Sequence, residues 1–227
     1  MLLFKPHFRG LEKEVSGLRF SNSVGLFRKG DSARIRALAG LGVGFLTLTP
    51  DSDHIMEWIQ RLAQQRHNQD ILLAVNLNKN IERSFSLSYD FADILIVDTN
   101  SNGGIDSPDI TDIPLLLDEL LNLRLCYEQL TPIFLRLPKG LTPEELHSIL
   151  SYCLLSGING IVASGKGTVR QVLEYTQCRI PVIGCTAAPE EAAAMLQDGA
   201  SLIEMDVRPP VALKLLKTLE KEAKKHD

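Results

Sequence analysis

No Pro/Gly/Ser-rich linker and no shift in composition divides the 227 residues, so a single domain spanning 1–227 is expected. No basic stripe runs along the chain and the formal net charge is −4, which argues against nucleic acid as a partner. Apolar runs all fall short of the roughly 20 residues that a spanning helix needs, so no membrane span is expected. The opening MLLFKPHFRG lacks a long apolar region before a small-residue cleavage site, and no secretory signal is read there. The four cysteines, Cys126, Cys153, Cys178 and Cys185, form no C-x-x-C pair. They read as reduced thiols of a cytoplasmic protein, each held for packing or by chance.

What the chain does have is a hydrophobic content of 44%, enough for a sizeable core. It is dealt out as eight short apolar runs: VGLF at 24–27, GVGFLTLTP at 42–50, ILLAVNL at 71–77, ADILIVDT at 92–99, PIFLRLP at 132–138, NGIVAS at 159–164, RIPVIGC at 179–185 and ASLIEMDV at 200–207. Helical patterns separate most of them. Ile55, Ile59 and Leu62 recur at helical spacing after the caps offered by Asp51, Ser52 or Asp53. A helix starting at Gly30-Asp31-Ser32 carries Ile35 and Leu38 on one face, and a Leu-rich helix is read over 113–127. Thr142, Pro143 and Glu145 stand at N-cap, N1 and N3, a capping box with the preferred first-turn proline. The Ser-rich crossover after 71–77 marks its helix poorly, and the last helix runs from Pro210 into a charged tail over 215–227. Strand and helix alternating in this way, with no strong hairpin signal among the eight runs, predict a compact (β/α)8 TIM barrel with short βα loops. An N-terminal arm and short hairpin within 1–22 would plug its bottom. An open doubly wound sheet is the structural alternative.

A barrel of this kind places its functional groups at the C-terminal ends of its strands, and period-two alternation says which residues face the mouth. The arithmetic gives Asn76 with Asn78, Asp98 with Asn100, Arg136, and Glu204 with Asp206, joined by Lys29 at the end of the first strand. Two readings compete for them. Arg136 with Asp98 or Glu204 can be a buried structural pair, or the carboxylates can serve a ligand. A metal site from Asp98, Glu204 and Asp206 has no histidine at a strand end to strengthen it, and no metal is assigned. Lys166, in SGKGT, can be a Schiff-base lysine if desolvated or an ordinary loop lysine. The same GKGT lacks the upstream glycine of a phosphate-binding P-loop.

Several stretches, in order from about 17 to 207, resemble the dihydroorotate dehydrogenases, FMN enzymes built on a (β/α)8 barrel. GLRFSNSVGLF with Lys29-Gly30 resembles their opening strand, and LGVGFLTLTP their G-F-G-x-x-E-x-G-T-V-T-P. AVNLNKN resembles G-I-N-I-G-K-N, PIFLRLPKGLTPEEL resembles P-V-x-V-K-I-A-P-D-L-T-x-E-x-L, and GINGIVAS resembles G-x-D-G-x-I-A-T. RIPVIG followed by GASLI is similar to R-x-P-I-I-G-V-G-G and A-G-A-S-L-V-Q.

The resemblance implies an oxidoreductase of pyrimidine biosynthesis with FMN as cofactor. It carries Ser101 onto the catalytic base of the single-chain class, and Asn76, Asp98 and Asn100 onto the substrate side. Lys29, Arg136, Gly184 and Thr186 fall on the cofactor side, and Glu204, Asp206 and Lys166 on the rest of the mouth. The departures imply a shortened, degenerate member. The covering segment after TLTP is missing, Arg136 replaces a lysine with different geometry, Cys185-Thr186-Ala187 replaces a glycine pair, and Asp206-Val207 replaces a Tyr-Ser pair. An aspartate beside a phosphate dianion repels it by ~1 kcal/mol at 4 Å in water. Weak or absent FMN binding is therefore expected. Two other functions stay open: a binding or regulatory subunit with a protein partner or itself as a homodimer, and a barrel repurposed for a cationic or hydroxylated small molecule.

Overall fold

Turn chemistry sets the first element. Ser16 and Gly17 both take positive φ, 51° and 78°, as a two-residue hairpin turn requires, and they join β1 (Lys13–Val15) to β2 (Leu18–Phe20). The computed structural model describes residues 6, 8, 10–29, 35–50, 54–66, 71–100 and 109–225. After the hairpin the chain alternates strand and helix: β3 (Val24–Lys29), α1 (Ile35–Ala39), β4 (Phe45–Thr49), α2 (Ile55–Arg66), β5 (Leu72–Leu77), α3 (Ile81–Ser88) and β6 (Ile94–Asp98). It continues with α4 (Ile113–Arg124), β7 (Ile133–Arg136), α5 (Pro143–Ser156), β8 (Gly160–Ser164), α6 (Lys166–Thr176), β9 (Val182–Thr186), α7 (Pro189–Gln197), β10 (Leu202–Met205) and α8 (Pro209–Ala223).

The strands β3 to β10 pair in parallel and in chain order, and β10 returns to β3 to close the barrel. Closure rules out the open sheet and puts all eight predicted runs in one ring. Two apolar layers follow from the alternation. Leu46, Leu48, Val75, Leu95 and Leu135 point outward to the helices, whereas Phe45, Ala74, Ile94, Ile96, Phe134, Val162, Ile183 and Leu202 fill the interior. Val15 and Phe20 of the hairpin join that inner layer, with Phe20 edge-on to Phe45 at 5.7 Å, at the N-terminal end of the strands. Inner phenylalanines need room. A Cβ on Gly25 would lie 2.4 Å from the Phe45 ring, and one on Gly160 2.1 Å from the Phe134 ring.

Local signals explain most helix starts. Thr142 accepts from the Glu145 N–H and Glu145 caps the Thr142 N–H, the reciprocal box read from the sequence. The poorly marked crossover is a real helix, α3, because Phe85 is buried against Tyr89 and Tyr127 while the Ser84 hydroxyl returns to the Lys79 carbonyl. The last helix, read from Pro210 into the charged tail, is α8, which opens at Pro209 and continues to Ala223 with Leu215 and Leu216 buried. The starts proposed at 30–32 and 51–53 lie outside the described residues. Among the described residues, no helix is long and apolar enough to cross a membrane.

Candidate functional site

At the C-terminal ends of the strands lies a cleft of about 330 Å³ lined by Phe27, Lys29, Thr49, Asn76, Asn78, Asp98, Asn100, Arg136, Lys139, Ser164, Cys185, Thr186, Ala187, Glu204 and Asp206. Its floor is one hydrogen-bonded group centred on Arg136. The guanidinium enters from β7, and its Nη2 donates to both Glu204 oxygens at 2.8 and 3.1 Å. Its Nε donates to Asn76 Oδ1 at 3.0 Å and lies 3.4 Å from Asp98 Oδ2, and its Nη1 donates to Cys185 Sγ at 3.2 Å. The plane sits 5.4 Å from the Phe27 ring centroid, within cation–π range. Thus one side chain reaches β3, β5, β6, β9 and β10 from β7.

The surrounding acceptors are as fully engaged. Asp98 Oδ2 accepts from Asn76 Nδ2 at 2.8 Å, and its Oδ1 accepts from the Asn100 N–H at 3.0 Å and from Asn100 Nδ2 at 3.2 Å. The Cys185 thiol donates to Glu204 Oε1 at 3.3 Å. Arg136, Asp98, Glu204 and Asn76 are all buried, and burial of charge is tolerable only with such pairing. Burial by itself would lower the guanidinium's pKa; Glu204 foremost, with Asp98, overrides it and raises the pKa above the ordinary arginine value. Burial first and the Glu204 charge second push the Cys185 thiol well above its usual value, against the opposite pull of Arg136.

Of the residues nominated from the sequence, Asn76, Asp98, Asn100, Arg136, Glu204, Asp206, Lys29 and Thr186 come together at the mouth. Arg136 pairs with both Asp98 and Glu204, so these two carboxylates are not free for a ligand, whereas Asp206 is exposed and lies 3.8 Å from Arg28. Gly184 does not face the mouth. Alternation in β9 turns Ile183 and Cys185 inward, and Gly184 faces the helix layer, where a Cβ would meet Met195 and Ile203. Lys166 takes part through its backbone, as the first residue of α6. Ser101 lies outside the described residues. Cys185, Lys139 and Glu191 were missed. Cys185 was legible from the same alternation that nominated Glu204, but a packing role was assumed for it; Lys139 belongs to a loop, and Glu191 acts across two βα units. Among the described residues, no group of three or more His, Cys, Asp or Glu is placed to hold a metal ion.

Fold and mouth together define a parallel (β/α)8 barrel with an ionic floor at its C-terminal end. Within that class, the chain is weakly homologous to the dihydroorotate dehydrogenases. It is 25% identical over 271 aligned residues to dihydroorotate dehydrogenase (quinone) of Christiangramia forsetii, covering 86% of this chain and 78% of the relative. It is 26% identical over 207 residues to the enzyme of the same name from Coxiella burnetii, and spans 60% of that protein's length. Among solved structures, ligand-free DHODH from Eimeria tenella superposes with a TM-score of 0.77 at 15% identity, covering 94% of this chain and 86% of that one, a likeness of fold. No family model matches the chain.

The resemblance to flavin enzymes makes FMN the group to test against these residues. A phosphate at a barrel mouth is held by backbone N–H groups at helix starts and by free cations. Here α7 opens with Pro189, and α8 with Pro209 and Pro210, three residues without an N–H. The Ala188 N–H donates to Thr186 Oγ1 at 3.0 Å, and the Lys166 N–H donates to Glu191 Oε1 at 2.8 Å. Arg136 is committed to the floor, and the cation beside Asp206 is Arg28, 3.8 Å away. These helix starts therefore offer a phosphate few free N–H donors, while Lys29 and Lys139 remain as cations on the rim.

Proposed function

We propose that this chain is a dihydroorotate dehydrogenase-like barrel of the FMN oxidoreductase superfamily that has kept the architecture but gives up flavin binding and the flavin-dependent reaction, and whose mouth takes a small polar molecule instead. The homology supports the ancestry. The observation that carries the change of use is the engagement of Arg136, whose guanidinium spans the floor and is bonded to Asn76, Cys185 and Glu204. A flat, largely apolar ring would rest there on buried charge rather than on an apolar bed, and opening the floor would strand Asp98 and Glu204 without their cation. The groups left for a ligand are at the rim: Lys29, Lys139, Asn78, Ser164 and Asp206. They offer donors and charge of both signs, suited to a compact hydroxylated or zwitterionic molecule.

Titration of the purified protein with FMN, followed by flavin fluorescence, tests the first half of this reading. No saturable quenching is expected, and saturable quenching would overturn it. A thermal-shift screen over polyols, amines and amino-acid-like zwitterions tests the second half, and a screen in which none raises the melting temperature would count against it.

A further inference from the structure

We infer that the barrel associates with copies of itself head to tail, the lysine-bearing face of α8 on one copy covering the leucine seam between α4 and α5 on the next. The contact lies on the flanks of the barrel, away from the mouth, and does not depend on what the mouth binds.

Of the five large apolar side chains left exposed among the described residues, Leu115, Leu125, Leu130 and Leu155 belong to α4, α5 and the turn between α4 and β7. Exposed leucines scattered singly are ordinary, but these four gather on one flank. Two cross-links hold the helices of that flank side by side. The Tyr152 hydroxyl of α5 donates to Asp118 of α4, and Arg124 Nη1 at the end of α4 donates at 2.8 Å to Asn159 Oδ1 just beyond α5. Leu115 stands one turn before Asp118 and Leu155 one turn after Tyr152, so both leucines lie along the seam. Leu155 is 88% exposed, the highest of the five. Around the seam the two helices carry the carboxylates Asp118, Glu119, Glu144 and Glu145, whereas their one Arg or Lys, Arg124, is turned to Asn159. An apolar seam with an acidic border calls for an occupant that is apolar in body and basic at its tips.

α8 has that chemistry. Lys214, Lys217 and Lys221 recur at helical spacing and are exposed, opposite the buried Leu215 and Leu216. Six Lys and Arg against two Glu over 208–225 make this a basic flank on a chain whose net charge is −4. Lysine stems lie on apolar surface while their ammonium groups reach outward, so these side chains can cover leucines and still meet the carboxylates at the border.

The topology decides how such a contact propagates. α4 follows β6 and α8 follows β10, and these strands stand four places apart in the closed ring of eight. The two faces therefore lie on opposite flanks of one barrel. A contact between unlike faces on opposite flanks is heterologous, so it adds copies in a row instead of closing as a two-fold dimer.

Sedimentation velocity over a range of protein concentrations tests the inference, with a reductant present to keep the exposed Cys126 and Cys178 from cross-linking. The average mass of the wild type should grow with concentration past two copies. It should fall as salt is raised to about 1 M, where charges are screened beyond about 3 Å. Leu155→Lys, which sets a cation against the lysines, and the pair Lys214→Glu with Lys217→Glu, which sets carboxylates against the acidic border, should each stay monomeric. Mixed in equal amounts, these two variants should form a complex of two chains and stop there, because each supplies the face that the other lacks. All three positions are exposed, and circular dichroism matching the wild type certifies the fold; should Leu155→Lys not fold, Leu115→Lys takes its place and is scored in the same way. A wild type that stays monomeric, that stops at two copies or that assembles regardless of salt would overturn the inference. So would variants that assemble alone as the wild type does, or a mixture that stays monomeric.

Discussion

Arg136 and Glu204 meet across the barrel mouth, Nη2 donating to Oε1 at 2.8 Å and to Oε2 at 3.1 Å, although β8 and β9 separate their strands in the ring. The bond needs β7 to β10 assembled side by side, so it reports on tertiary structure in that part of the ring. Arg136→Met would leave Asp98 and Glu204 buried beside no cation, a loss of about 3–5 kcal/mol. Glu204→Gln, which keeps an acceptor, should cost less. Because the pair acts as a unit, the double variant should be more stable than the summed single losses imply, by about 1–3 kcal/mol. Urea unfolding of the four proteins checks this, and additive losses would show that the two side chains act separately. Arg136→Lys should also destabilise, because an ammonium cannot reach Asn76, Cys185 and Glu204 in the fork geometry of a guanidinium.

The Glu191 carboxyl gives a dependence on pH. Its folded-state pKa lies below the unfolded value of about 4.3, so its contribution to stability is present above that value and is lost as pH falls through the folded-state pKa. The Thr186 hydroxyl first, and the Lys166 N–H second, hold it there. An exposed carboxylate at a helix N-terminus contributes about 0.3–1 kcal/mol at low salt, so wild type should exceed Glu191→Gln by no more than that near neutrality. The difference should shrink toward zero in acid. Denaturant midpoints of the two proteins across that acid range provide the measurement, and a gap independent of pH would mean that the charge contributes nothing.

Much of this architecture is legible because one rule, period-two alternation, governs both the core and the mouth. It put Asn76, Asp98, Arg136 and Glu204 on the interior face before closure was known, and closure then brought them together. Thr142 with Glu145 was equally legible, since a capping box is a contact three residues long. Partnership across the ring was not. Whether Arg136 joined Asp98 or Glu204 stood open because the choice depends on distances set by barrel radius, and the answer is both. Glu191 offered only its place in the first turn of a helix, and its partners Lys166 and Thr186 come from other elements. Gly184 was nominated by resemblance against the alternation of its own strand, and there the local rule describes its orientation better.

The cysteines should separate into two reactivity classes. Cys126 and Cys178 are exposed, whereas burial raises the Cys153 pKa to about 12 and that of Cys185 well above its usual value. Only the thiolate attacks an alkylating agent. Iodoacetamide at about pH 8 should therefore label Cys126 and Cys178 in the folded protein and all four in urea, read by peptide mass spectrometry. Cys185 labelled as fast as Cys126 would mean that the mouth's floor opens in solution and that Glu204 does not hold the thiol protonated.

Gly160 and Phe134 face one another inside the ring, and there the interior has no slack. A methyl group at Gly160 would stand 2.1 Å from the Phe134 ring, far inside van der Waals contact, and Phe134 is itself fully buried in the layer directly beneath Arg136. Gly160→Ala must therefore push the ring upward or sideways, at about 1–3 kcal/mol. Phe134→Leu alone should also destabilise, through lost contacts and a cavity. Combined, the smaller side chain should make room for the new methyl, so that the double variant recovers part of what Gly160→Ala loses. Thermal unfolding of the two single variants and the double variant measures the recovery. Because the ring supports the Arg136 floor, the Gly160→Ala variant should also expose Cys185 to iodoacetamide and the double variant should protect it again. A Gly160→Ala protein as stable as wild type, with Cys185 still protected, would show that the inner layer has room and that the floor does not depend on it.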